Sequence, residues 1–118
     1  MLETLDLTKH FKEVKAVDGI NLFIERGEIV GLLGPNGAGK TTAIAMIATL
    51  IPPTRGEVLL YGKSVIASPA PLRRMLGMVP QQLALYPDLT ARENLQFFGR
   101  LYGLKGKSLA VRVDEVLE

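Results

Sequence analysis

Residues Gly34-Pro35-Asn36-Gly37-Ala38-Gly39-Lys40-Thr41 follow the pattern Gly-x-x-x-x-Gly-Lys-Thr. That is the spacing of a phosphate-binding loop, whose chemistry follows from its residue types. Gly34, Gly37 and Gly39 admit backbone conformations that a Cβ forbids, so the chain between them closes around an anion. Asn36 and Ala38 supply intervening N–H groups, and Pro35, which has none, a carbonyl. Successive N–H groups then point inward as a nest, and the helix that follows adds its positive end. Lys40 offers a compact cation to β- and γ-phosphates, and Thr41 a hydroxyl to the Mg2+ that bridges them. Thr42 is a candidate ligand for the α-phosphate. A glycine-rich turn that merely carries a lysine is the plainer alternative, and the neighbouring elements weigh against it.

Those elements are strand, then loop, then helix, the order such a loop requires. Ile29-Val30-Gly31-Leu32-Leu33 is an apolar run expected to form a strand buried on both faces. Thr42 to Ile51 is apolar nearly all round, as for a helix covered on several sides, and Pro52-Pro53 stops it. Upstream, Leu2, Leu5 and Leu7 begin a strand before a polar turn at Thr8-Lys9-His10. Val17 to Glu25 is a second strand, and Arg26-Gly27 turns the chain into the Ile29 run. Downstream, Glu57 to Tyr61 is a strand closed by Gly62, and Pro71 to Met75 is a short helical turn. Thr90-Ala91-Arg92-Glu93 has capping-box spacing and opens a helix bearing Leu95, Phe98 and Tyr102 on one face, with Gly103 at its exit. A last helix from Ser108 places Leu109, Val113, Val116 and Leu117 together, and the pattern reaches Glu118 without a stop signal.

Composition bounds the rest. A chain of 118 residues, 47% hydrophobic and 22% charged, is expected to form one globular domain of modest core. The 14 basic and 12 acidic residues are interspersed, and no basic stripe interleaved with aromatics stands out, so no nucleic-acid partner is expected. The chain has no cysteine, which removes disulfides, thiolate metal sites and thiol catalysis. Glu3 and Asp6 sit where a leader peptide is basic and then apolar, so none is expected. The apolar stretch Ala43 to Ile51 is too short to cross a bilayer. His10 is expected on the surface, Met46, Met75 and Met78 as core filler, and Arg73, Arg74 and Arg92 in solvent.

Gly27 through Thr42 resembles the first (Walker A) motif of ATP-binding cassette (ABC) ATPases. Lys15-Ala16-Val17-Asp18-Gly19 upstream and Gly77-Met78-Val79-Pro80-Gln81 downstream also resemble that family. Tyr86-Pro87-Asp88-Leu89-Thr90, Glu93-Asn94-Leu95 and Leu101-Tyr102-Gly103-Leu104 are similar to its drug-exporter branch. The resemblance covers the whole chain, 1–118. It implies an α/β P-loop NTPase cassette fold, incomplete: an N-terminal antiparallel β layer, part of the P-loop core and the start of the helical subdomain. It also implies ATP and Mg2+ as ligands, with residue roles carried over by position. Phe11 falls where the family has an aromatic that stacks on adenine, the alternative being a hairpin aromatic packed in a small core. Val17 lines the same adenine and ribose surface or is simply core. Gln81 occupies the glutamine-loop position, where an amide oxygen binds magnesium or orients water, with Gln82 the fallback. Lys40 and Gln81 are thus the candidate catalytic residues, and Thr41 and Gln81 the candidate metal ligands.

The resemblance stops near the family's midpoint. Its Leu-Ser-Gly-Gly-Gln signature, second acidic motif (Walker B) with adjacent glutamate, and late histidine do not occur here. Phosphoryl transfer depends on a positioned water and stabilised charge. The implied function is therefore the N-terminal half of a transporter ATPase. It would work with a transmembrane permease subunit and a second ATPase subunit, in the cytoplasm and peripheral to the membrane through its partner. Two alternatives are a binding-only fragment without efficient turnover and a soluble cassette protein outside transport.

Overall fold

The computed structural model describes residues 1–82 and 84–118 and divides into two compact units, Met1–Met78 and Val79–Glu118. The first unit is a four-stranded antiparallel sheet with a helix against it. β1 (Leu2–Phe11) and β2 (Val14–Ile24) form a hairpin, registered from Leu2 opposite Ile24 to Phe11 opposite Val14. β3 (Arg55–Leu60) pairs with the other edge of β1, and β4 (Lys63–Ser64) with β3, giving the order β2-β1-β3-β4. The β3–β4 turn places Tyr61 and Gly62 at φ 50° and 74°, the two positive values a tight hairpin turn uses.

β1 is longer than its sequence suggests. Thr8-Lys9-His10 continues the ladder, Lys9 opposite Val17 and His10 opposite Lys15, and the turn falls at Lys12 (φ 54°). Their polarity marks partial exposure at a hairpin tip, not a turn. What interrupts the strand is a bulge at Asp6, φ 48°, where both ladders slip. Side chains replace the lost ladder bonds. Asp6 N–H donates to Asn21 Oδ1 (2.8 Å), and the Thr8 hydroxyl donates to Asp6 O (3.0 Å) while accepting from Gly19 N–H (3.0 Å). Arg55 pairs with the Asp6 carboxylate at 3.1 Å. A Cβ on Gly56 would lie 2.3 Å from Asp6 O, so only glycine lets β3 pass the bulge.

Between β2 and β3 the chain leaves the sheet to form the glycine loop and α1 (Lys40–Ile47). Ala43 and Met46 of α1 are fully buried with Leu7, Val17, Val58, Leu60 and Val65, and Leu32 and Ile47 pack around them. The helix is covered on one face only, since Thr41 and Ile44 are exposed. It ends before the prolines, in a Schellman turn: Leu50 N–H to Ala45 O at 2.9 Å and Thr49 N–H to Met46 O at 3.0 Å, with Thr49 at φ 61°. Threonine is a poor residue for that conformation, and Arg73 holds it there, donating to Thr49 Oγ1 (2.8 Å) and Thr49 O (3.1 Å). Arg73, at the end of α2 (Pro69–Arg73), is thus a local clasp.

One expected strand is absent. Ile29 to Leu33 forms no ladder; Ile29 is 100% and Leu33 94% exposed, and of the run only Leu32 meets the core. Its composition suits a central strand covered on both faces. A strand exists only through a paired neighbour, and none of the described residues pairs with this one. Met75 and Met78, expected as core, are likewise exposed, while Met46 is core.

In the second unit α3 (Ala91–Leu101) packs on α4 (Gly106–Leu117), with Leu109 and Val113 buried between them. The capping box is complete: Thr90 Oγ1 accepts from Glu93 N–H, and the Glu93 carboxylate accepts from Thr90 N–H at 2.8 Å. Gly103, φ 86°, closes α3 through Leu104 N–H to Gly99 O and Gly103 N–H to Arg100 O. Val116 and Leu117 are exposed, so the last turn of the expected apolar face is uncovered.

Candidate functional site

The loop's shape follows from its glycines. Gly37 and Gly39 lie at φ 85° and 84°, and Ala38 N–H closes a turn on Pro35 O at 3.2 Å. Gly39 is the N-cap of α1, and no side chain caps the helix. The first amides of a helix have no intrahelical acceptor, and no acidic residue stands in the first turn to occupy them. The result is an exposed cluster of N–H donors at the positive end of a helix, a ready anion site.

Lys40 completes the cradle. Its ammonium donates to Gly34 O (2.5 Å) and Pro35 O (2.7 Å), folding the side chain back across the loop it follows. The cation therefore sits among the loop carbonyls, held by neutral acceptors that an anionic oxygen displaces readily. Thr41 is exposed and Thr42 half-buried on the next turn. Gly39 also contacts β2. A Cβ there would lie 2.2 Å from Ala16 O and 3.2 Å from Val17 Cγ2, so the base of the loop rests on the β2 backbone.

The other sequence candidates differ in burial and in the unit to which they belong. Val17 is buried in the core against Gly39. Phe11 ends β1 at the hairpin tip, 49% exposed, with the Lys9 ammonium 5.2 Å from its ring centre. Gln81 and Gln82 are exposed and belong to the second unit, Val79–Glu118. His10 is exposed, as expected. Among the described residues no three His, Asp or Glu gather into a metal cage. The cradle fits a polyphosphate, by its uncapped amides, its lysine and the glycine that a Cβ would displace.

Sequence reasoning missed Lys9, Ala16 and Asn94. Lys9 reaches Pro52 O at 2.6 Å, a contact spanning 43 residues that no local pattern signals. Asn94 is buried in the second unit. Its Oδ1 accepts from Tyr86 N–H (2.8 Å), and its Nδ2 faces Tyr86 O, Leu89 O and Thr90 O at 3.1 Å each, stapling the loop 86–90 onto α3. Tyr86 in turn meets Phe97 edge to face, ring centres 5.1 Å apart, and stacks near-parallel to Phe98 at 6.3 Å.

An antiparallel layer, a glycine loop and a helix that begins on its lysine define an α/β P-loop nucleotide-binding cassette, present in part. The family profile described as ABC transporter matches residues 17–118. The linearmycin resistance ATP-binding protein LnrL of Bacillus subtilis (strain 168) is 43% identical over 118 residues, covering 100% of this chain and 38% of that protein. The bacitracin transport ATP-binding protein BcrA of Bacillus licheniformis is 39% identical over the same length, again 38% of the relative. Among solved structures, the dimeric post-hydrolysis state of the ATP-binding cassette MJ0796, bound to ADP and Pi, superposes with a TM-score of 0.80. It is 32% identical and covers 98% of this chain and 55% of that one. The chain belongs to the ABC transporter family, and it spans well under half the length of these two curated relatives. No helix among the described residues is long and apolar enough to cross a membrane.

Proposed function

We propose that this chain is the nucleotide-binding portion of an exporter-type ABC ATPase subunit, gripping the polyphosphate of Mg-ATP between Gly34 and Thr42. The observation that carries the reading is the uncapped N-terminus of α1 with Lys40 folded over it. On binding, Lys40 exchanges two neutral carbonyls for phosphate oxygens, while the amides from Gly37 to Thr42 supply the rest of the cradle. The Thr41 hydroxyl and the Gln81 amide oxygen are the groups assigned to the Mg2+ that accompanies ATP, and Phe11 is the face assigned to adenine. Magnesium held there would neutralise phosphate charge. Val17 supports the loop from beneath.

Among these residues Lys40 stabilises charge and Gln81 orients water or metal; none of them removes a proton from an attacking water. The chain alone therefore binds ATP without efficient turnover. In the assembled transporter it acts at the cytoplasmic face beside a transmembrane permease and pairs with a second ATPase subunit. LnrL and BcrA are a linearmycin resistance and a bacitracin transport protein respectively, which supports a role in antibiotic resistance or transport. The test is calorimetry of Mg-ATP binding to this chain and to Lys40→Ala. Losing one charge-assisted phosphate contact of about 1.5–3 kcal/mol weakens affinity roughly 10- to 150-fold. Equal affinity in the two proteins would remove the site. Robust hydrolysis by the chain, abolished by Lys40→Ala, would instead remove the binding-only reading.

A further inference from the structure

We propose that Lys9 is a positioning residue for the nucleobase, holding the Phe11 ring in the orientation that stacks. The inference rests on the reading of Phe11 as the base platform and adds the group that makes it rigid. Phe11 ends β1 at the tip of a hairpin and is half exposed. A side chain so placed hops between rotamers in picoseconds to nanoseconds and loses that freedom whenever a base settles on it. Here one face of the ring is already taken. The Lys9 ammonium lies 5.2 Å from the ring centre, within the range where a cation is drawn to an aromatic face. The ammonium is itself fixed, donating to Pro52 O at 2.6 Å.

The consequence is a frame with two ties. At the tip, Lys9 fastens the aromatic to the chain just beyond α1 through Pro52. Deeper in the hairpin, Ala16 O and Val17 Cγ2 abut Gly39 at the start of α1. The hairpin is thus fixed to the segments on either side of the helix whose first turn forms the phosphate cradle. Lys9 occupies one face of Phe11 and leaves the other to the base, so the ring is ordered before a nucleotide arrives. No neutral residue at position 9 does both, because the cation–π contact and the bond to Pro52 O use the same ammonium.

The experiment compares Mg-ATP with inorganic tripolyphosphate, which lacks a base, by calorimetry on this chain. The variants are Lys9→Met, Lys9→Arg, Phe11→Ala and Lys9→Met with Phe11→Ala. Lys9→Met is expected to weaken ATP about 2- to 5-fold, the size of an exposed cation–π contact, and to leave tripolyphosphate unchanged. Lys9→Arg restores ATP affinity, and Lys9→Met adds no loss once Phe11 is alanine. A loss shared equally by ATP and tripolyphosphate would make Lys9 a general surface charge and overturn the proposal. Phe11→Ala is expected to cost ATP roughly 5- to 150-fold. If it costs nothing, the base platform itself falls, and Lys9 with it. If Phe11→Ala weakens ATP and Lys9→Met does not, the platform stands and only the role of Lys9 falls. A second readout needs no ligand. The chain contains no tryptophan and three tyrosines, so Phe11→Trp is its one tryptophan, excited selectively at the red edge where tyrosine does not absorb, and adding Lys9→Met is expected to lower its anisotropy; unchanged anisotropy counts against the proposal.

Discussion

Two glycines of the loop share one backbone conformation but not one environment, and that difference is measurable. Gly37 and Gly39 lie at φ 85° and 84°. An alanine at either position meets the left-handed penalty of about 1–2 kcal/mol. At Gly37 the added Cβ meets nothing within 4 Å, so the penalty ends there. At Gly39 it would stand 2.2 Å from Ala16 O, far inside contact distance, and the obstacle is the backbone of β2. Overpacking of that kind adds about 1–3 kcal/mol. Gly37→Ala should therefore cost about 1–2 kcal/mol and Gly39→Ala about 2–5 kcal/mol in the nucleotide-free protein. Working without nucleotide matters, because on the proposed reading a Cβ at either site would also meet the bound phosphate. Urea unfolding followed by far-UV circular dichroism gives the two losses. Hydrogen exchange at Ala43, whose N–H bonds Gly39 O at 2.8 Å, reports whether the strain is relieved by opening the first turn of α1. Equal losses, or a larger loss for Gly37→Ala, would refute the claim that the loop rests on β2.

Asn94→Leu keeps the volume but removes every side-chain bond that staples the loop 86–90. At about 1 kcal/mol for each net bond, with the Tyr86 N–H left without its acceptor, the cost is about 2–4 kcal/mol in urea unfolding. Tyr86 near-UV dichroism should fade with it, and a shift below 0.5 kcal/mol would mean water replaces the amide. The Glu93 carboxyl titrates below its ordinary value of 4.5, first because the Thr90 hydroxyl and then because the Thr90 backbone N–H bonds its charged form. A depressed folded-state value means the contribution is complete above the unfolded-state value and fades as pH falls through the lower one. The start of α3 should therefore fray in acid below about pH 4.5. Amide exchange at Glu93 and Asn94 measures it, and Glu93→Gln, which keeps the capping geometry without the charge, should flatten the dependence; an unchanged acid slope would refute the assignment.

What the residues announced in advance was whatever their near neighbours decide. The Thr90–Glu93 box, the Gly103 exit and the Gly34–Thr41 loop close over three to seven residues, so their types alone specify their geometry. Partners far along the chain left no trace. Thr49 adopts an unfavourable φ because Arg73, 24 residues on, bonds it twice. The bulge at Asp6 exists because Gly19, Asn21, Arg55 and Gly56 meet it from two other strands. The apolar run at Ile29 is the instructive miss. Hydrophobicity there records the surroundings a segment is suited to, whereas strand structure needs a neighbour actually beside it, and among the described residues there is none. This asymmetry reaches the site. On its helical side the loop is braced by Gly39 against Ala16, while the residues leading into it are exposed at Ile29 and Leu33 and meet the core only through Leu32. Lys40, bonded to Gly34 O and Pro35 O, ties the entering segment to the helix it precedes. On the proposed reading, phosphate draws Lys40 away and releases that tie, and the bound anion takes over the bracing.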